Sequence, residues 1–318
     1  MDDPRPAMVR SLARPRHDGD MERAARAQPA PLTRAMTPDE AFRALLLECV
    51  AQISANAGAV REGRAVEALH QMRIGLRRLQ VVLAIFGKTN ISLKALRGRT
   101  RALSSRLGPA RDLDVFTGEL LEAPMRGAGA AEAFAGLRVR AEEARMRAWQ
   151  QAQGCVTSAD FAIFMDDIAA LTVKNYLPLT LRRQKIKALA DAALEDHFAR
   201  ARKRARAAGS LEERDFHDLR IALKKLRYAG EFFAPLYKKS KVRAYLKKLK
   251  KLQESLGGLN DIAHLRMTLA GLLEGSEVRD LCFAAGQVQG WHRERGARLG
   301  KKSLHRWKTL KNCEAFWC

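Results

Sequence analysis

HQMRIGLRRL at residues 70–79 and HDLRIALKKL at residues 217–226 are two copies of one string. Each opens on a histidine, His70 or His217, and sets cations three, seven and eight positions further on. These are Arg73, Arg77 and Arg78 in the first copy and Arg220, Lys224 and Lys225 in the second. Around the first copy Leu69, Met72, Leu76, Leu79, Leu83 and Phe86 recur at spacings of three and four, the period of an α-helix. On a helix the histidine and the cations three and seven positions on share one stripe, roughly 10 Å long at the helical rise.

Further echoes surround the strings. VVLAIF (81–86) parallels YAGEFF (228–233), and LGPARDL (107–113) parallels LGGLNDI (256–262). Lys94 and Arg243 hold equivalent positions on the helix after each string, as do Arg101 and Lys250, so the cationic lining extends over two helices per copy. The chain is therefore an internal duplication with halves at 37–173 and 181–317, joined through KNYLPLT (174–180) with Pro178. Strand-like alternation with hairpin turns is missing throughout, so the predicted class is all-α.

The periodicity predicts helices over 38–57, 63–86, 90–107, 111–123, 129–153, 159–172, 181–207, 211–236, 240–256, 259–273, 277–298 and 301–311. Gly87, Gly108, Gly154, Gly209 and Gly257 punctuate them. Thr37-Pro38-Asp39-Glu40 reads as a capping box with proline at the first helical position. Residues 1–36 hold five of the ten prolines and little apolar periodicity, and are expected to be a disordered basic arm. Long helices with short connections favour antiparallel bundles. The duplication further predicts that the two basic helices face a shared groove.

On a helical wheel the first stripe lies between two apolar flanks, Met72, Leu76, Leu79 and Leu83 on one side and Ile74, Val81 and Ile85 on the other. In the second copy Leu219, Leu223 and Leu226 oppose Ile221, Tyr228 and Phe232. A charged stripe between apolar flanks describes a half-buried helix lining a cleft. Like charges crowd there only if carboxylates answer them or an anion occupies the space. Guanidinium forks match phosphate oxygens bidentately, and ammonium groups serve as point charges. Asp112 and Asp261 close the later echo, where a carboxylate complements a helix start or braces a neighbouring arginine.

Composition narrows the partners. Lys and Arg total 58 against 35 Asp and Glu, a formal charge of +23 with a pI near 10.4. Such a surplus opposes compaction unless a polyanion neutralises it, which points to nucleic acid, an anionic surface or inorganic polyphosphate. The five cysteines (49, 155, 282, 313, 318) contain no CxxC pair and suit free thiols in a reducing cytoplasm. No apolar run approaches the ~20 residues of a membrane span, so no membrane is expected as a partner, and the N-terminal stretch lacks the apolar core of a secretory signal.

Several chemistries find no support. There is no HExxH and no His/Cys cluster at ligand spacing, so no metal is expected. GARLGKK (296–302) is one residue short of a P-loop and has Lys302 where Ser or Thr belongs, so no nucleotide cofactor is expected. No serine or cysteine sits in a nucleophile elbow, so no catalytic residue is assigned. Nucleic acid is the competing partner: the charge alone holds DNA or RNA non-specifically at low salt. Yet the stripes lack interleaved aromatics for base stacking and side chains poised for base edges.

The two histidine-headed strings, LGPARDLD (107–114), its echo LGGLND (256–261) and the terminal HRWKTLKNCEAFW (305–317) together resemble the CHAD family, the conserved-histidine α-helical domain, over roughly residues 37–317. The resemblance implies two antiparallel four-helix bundles related by a pseudo-two-fold axis around a basic central cavity. It implies non-enzymatic binding of inorganic polyphosphate and association with polyphosphate granules. By position, the binding residues would be His70, Arg73, Arg77 and Arg78 with His217, Arg220, Lys224, Lys225 and Arg227. Gln80 departs from the pattern at the position of Arg227, and Asn260 stands where the first copy has Arg111. A nucleoid-associated basic helical protein is the alternative.

Overall fold

Thr37 sets the start of the first helix. Its hydroxyl accepts from the Glu40 backbone N–H, and its own backbone N–H donates to the Glu40 carboxylate at 2.7 Å. This is the reciprocal capping box read from the sequence, with Pro38 where a missing N–H costs nothing. The structure is a computed structural model that describes residues 24–318 except 64, 89, 129–130, 174–175, 211 and 276–278.

The helices follow as α1 (Pro38–Arg61), α2 (Val66–Phe86), α3 (Ile91–Arg106), α4 (Gly108–Val115), a π-helical turn (Phe116–Leu120), α5 (Glu122–Ala128), α6 (Ala131–Thr157), α7 (Ala159–Ala170), α8 (Leu179–Arg182), α9 (Ile186–Ala207), α10 (Glu213–Phe233), α11 (Lys239–Leu273) and α12 (Arg279–Lys311). Short 3₁₀ turns occupy Ala208–Ser210 and Ala234–Leu236. The described residues contain no strand, in agreement with the all-α expectation. No described helix is long and apolar enough to cross a membrane. The two strings fall on α2 and α10, each 21 residues long.

Two expected breaks are absent and a third is displaced. α11 runs unbroken through Gly257 and Gly258 and α12 through 298–301, whereas α6 passes Gly154 and ends at Thr157, with Ser158 capping α7. In the first half the equivalent stretch does break, at Leu107, before Gly108-Pro109 opens α4. Proline has no N–H to give the preceding turn, so the helix must restart there. Gly258 replaces that proline and leaves the ladder whole. A Cβ on Gly258 would lie 2.8 Å from Leu299 Cδ1, so this glycine lets α11 and α12 approach closely. A glycine therefore need not end a helix when a neighbouring helix needs the space.

The chain divides into two compact units that do not coincide with the sequence halves. One comprises residues up to Gly108 together with Trp149–Ala190; the other comprises Pro109–Ala148 together with Asp191–Cys318. In the first unit α1 packs on α2 and α2 on α3. Leu45, Ile53, Leu69, Met72, Leu76 and Leu79 there are all fully buried, and Phe42 meets Phe86 at a ring separation of 5.1 Å. A Cβ on Gly75 would come within 2.8 Å of Ile53 Cγ1, so α1 and α2 touch nearly backbone to backbone. Residues 1–23 of the expected arm lie outside the described residues. Residues 24–36 lie against α1, where Asn56 exchanges hydrogen bonds with the Ala25 backbone and Ala30 and Leu32 are buried.

In the second unit α10 packs on α11 and α11 on α12. One core cluster joins Phe116, Phe134, Leu265, Leu269, Ala284 and Val288. Beside it His292, fully buried, donates from Nε2 to the Leu120 carbonyl at 2.8 Å, at the end of the π-helical turn. The C-terminal residues form an aromatic staple: Tyr245, Phe316 and Trp317 sit with ring centroids 4.9 to 5.6 Å apart. Trp317 also donates to Glu195 at 3.2 Å, tying the staple to α9.

Candidate functional site

In the first unit the flanks of α2 lie as its periodicity requires, with Met72, Leu76, Leu79, Leu83 and Val81 buried. The cations between them divide in two. Arg73 and Arg78 are only 7% and 4% exposed, whereas His70 and Arg77 are half-buried. Arg73 Nη1 donates to the Ser104 carbonyl at 2.8 Å. Gly108 lies so near that a Cβ there would stand 3.3 Å from the same nitrogen. Arg73 thus closes the C-terminal end of α3, where a cation complements the exposed carbonyls and the helix dipole. Arg78 faces α1. Burial pushes the Cys49 thiol up to about 12 while Arg78 pulls it down, and burial raises Glu48 with Arg78 again opposing. Lys94 and Arg101 project from α3 as exposed cations, with half-buried Arg97 between them at the same helical spacing.

In the second unit Leu219, Leu223 and Leu226 are buried and Tyr228 and Phe232 with them, whereas Ile221 of the same flank is 38% exposed. His217 is exposed and its Nδ1 lies 2.9 Å from Asn260 Oδ1. Because that oxygen only accepts, Nδ1 carries the proton. Arg220 Nη1 donates to the same oxygen at 3.3 Å. Asn260 therefore anchors the histidine and the first cation of the stripe together. Arg111, its counterpart in the first copy, cannot accept. Next to Asn260, burial raises the Asp261 carboxyl, opposed by Arg220, by a hydrogen bond from Asn260 and by Lys224. Asp261 is inside α11 rather than at a helix start, and braces the stripe from behind. Its counterpart Asp112 stands 3.8 Å from His264.

Lys224 is half-buried and Lys225 exposed. Arg227 pairs with Glu231 on its own helix at 3.4 Å and lies over the Tyr228 ring at 5.1 Å. Arg243 and Lys250 on α11 are exposed, with Lys247 between them, also exposed. Lys247 and Arg97 extend the same two rows; their spacing of three and four from the named cations is the sequence signal that finds them. Asn260 has no such spacing; its sequence signal is the second echo, where it stands in place of Arg111.

Each unit thus carries one cationic row partly sunk into the fold, buried at Arg73 and Arg78 in the first and half-buried at Arg220 and Lys224 in the second, and a second, mostly exposed row of Lys and Arg on the next helix. Fixed guanidinium and ammonium groups of this kind take oxyanions, and the half-buried ones are screened less by water than surface charges are.

The CHAD domain family matches residues 44–270. No curated protein sequence matches the chain. Among solved structures, a CHAD domain from the plant Ricinus communis superposes with a TM-score of 0.79 at 29% identity, covering 89% of this chain and 97% of the other. PptA from Streptomyces chartreusis superposes with a TM-score of 0.68 at 19% identity over 86% of this chain and 100% of that one, a likeness of fold. The family match spans both strings and the second echo, and on that ground the chain belongs to the CHAD domain family.

Proposed function

We propose that this protein binds inorganic polyphosphate without turning it over, at polyphosphate granules in the cytoplasm. The carrying observation is the repeat of one layout. A histidine–cation string on a 21-residue helix packs beside a helix with exposed cations at equivalent positions, once in each unit. A flexible polyanion is held by neutralisation along such rows: bidentate arginines orient single phosphates and lysines follow the chain. His217 offers a hydrogen bond to an oxyanion through Nε2 when protonated there as well. Membership of the CHAD family supports the substrate class.

The exposed row gives the cleanest test, because Arg73 and Arg78 are buried and their reversal would disturb the fold. Lys94→Glu, Arg101→Glu, Arg243→Glu and Lys250→Glu combined should weaken long-chain polyphosphate binding by about two orders of magnitude, some 3 kcal/mol. Circular dichroism should stay unchanged. Wild-type affinity in a folded quadruple variant would remove these residues from the site. Incubation with polyphosphate and magnesium should release no product.

Nucleic acid is a second reading, favoured by the exposed run Lys239, Lys241, Arg243, Lys247, Lys248 and Lys250 along α11. Competition separates the two: at about 150 mM salt, where non-specific phosphate contacts weaken, polyphosphate should displace DNA and DNA should fail to displace polyphosphate.

A further inference from the structure

We propose that the second unit holds a separate small-molecule site, for a nucleoside phosphate, in the cleft where α10, α11 and α12 meet. The cleft encloses about 360 Å³, within the range of pockets that bury a small organic ligand. Gly296 and Gly300 on α12 line its floor, where a Cβ on either would stand in ordinary contact, 3.7 Å, with Ile262 or with the Phe216 ring, so α12 sits close against α10 and α11 there. Between them Ala297 lines the cleft and is exposed to it.

The lining has two chemistries. Phe216, Leu256, Leu259 and Ile262 form apolar walls, with Phe216 itself only 7% exposed. At the rim stand Arg266 from α11 and Arg293 and Lys301 from α12, all exposed. Among the described lining residues Glu213 is the one carboxylate near them, 3.5 Å from Arg266. An apolar slot with three cations at its mouth matches a ligand with a flat apolar body and more than one negative charge. A nucleobase satisfies the slot by stacking, which needs a π-face and not a particular base edge. A diphosphate satisfies the rim through bidentate arginine contacts. A fatty-acid carboxylate, with one charge, would leave most of the rim unanswered. Polyphosphate, having no apolar part, would leave the slot empty.

His217 and its acceptor Asn260 border this cleft and also belong to the second cationic row, so the two sites adjoin. Nucleoside phosphate binding here does not require polyphosphate to bind, and the two readings fail separately. The experiment is calorimetric titration of the full chain with ADP, inorganic diphosphate and long-chain polyphosphate, in the wild type and in Ala297→Trp. Ala297 belongs to neither cationic row, and its exposure lets the indole fill the slot without entering the core. ADP should bind the wild type at least about tenfold more tightly than diphosphate, and Ala297→Trp should weaken ADP by about tenfold or more. Polyphosphate affinity and the thermal midpoint should stay unchanged. Arg293→Glu with Lys301→Glu should abolish ADP binding by reversing two of the three rim charges. The proposal is overturned by no ADP binding in the wild type, by diphosphate binding as tightly as ADP, or by ADP affinity indifferent to Ala297→Trp. Wild-type failure to bind polyphosphate would overturn the earlier reading and leave the ADP result standing.

Discussion

Arg73 and Arg101 are both cations of the first copy, yet they do different work. The buried guanidinium of Arg73 donates to the Ser104 carbonyl, so its loss strands an acceptor at the end of α3. Arg73→Met should cost about 2–3 kcal/mol in urea unfolding, the scale of a charged hydrogen bond left unmade. Arg101→Met, on an exposed position, should stay within about 0.5 kcal/mol. Asp261 offers a pH signature. Burial makes its carboxyl harder to ionise in the folded than in the unfolded chain, so protonation favours the fold. That contribution is complete below the ordinary aspartate range and is lost as pH rises through the raised value. Asp261→Asn should therefore raise the thermal midpoint at about pH 7 and lose that advantage near about pH 3. An equal gain at both pH values would mean that the carboxyl is not perturbed.

At the scale of elements, two helical glycines carry opposite predictions. Gly75 lies where α1 and α2 touch: a methyl added there would sit 2.8 Å from Ile53 Cγ1, with Gln52 and the Ile53 backbone behind it. Gly75→Ala should destabilise by about 1–3 kcal/mol, because two helices must part. Gly257 sits inside α11 with nothing within 4 Å of an added Cβ, so Gly257→Ala should stabilise by about 0.5–1 kcal/mol through helix propensity alone. Chemical denaturation measures both. Helix breaks differ from their expected places for a related cause. Pro109 interrupts its helix through a missing donor, which is local, whereas Gly258 persists in α11 because of its contact with α12, which is not.

Across the whole molecule the governing quantity is the charge of +23. Ion pairs such as Arg145–Asp114 at 2.7 Å and Arg204–Asp218 at 2.9 Å answer part of it within the second unit, but the carboxylates are too few for all the cations. Self-repulsion then weakens the fold when no anion is bound. Raising salt from about 50 to about 500 mM should raise the thermal midpoint of the free protein by screening. Added polyphosphate should raise it further at the low salt and little at the high salt, since ligand stabilisation follows affinity. A free-protein midpoint that falls with salt would show that the surplus charge is not a burden on the fold.

Much of this protein is written in local spacing. The three-and-four apolar period needs only neighbouring residues, so the helices, the capping box at Thr37, the paired strings and most of their apolar flanks are legible in the order of amino acids alone. Burial and partnership belong to residues far apart in the chain. No spacing distinguishes Arg73, closed over the Ser104 carbonyl, from Arg77, which stays half open. Nor does spacing mark Asn260 as the acceptor that His217 and Arg220 share. The division into units is likewise tertiary: Pro109–Ala148 continues the first copy in sequence and packs with the second. Period is a property of one helix, whereas the surface that covers it belongs to another, and only the fold decides which.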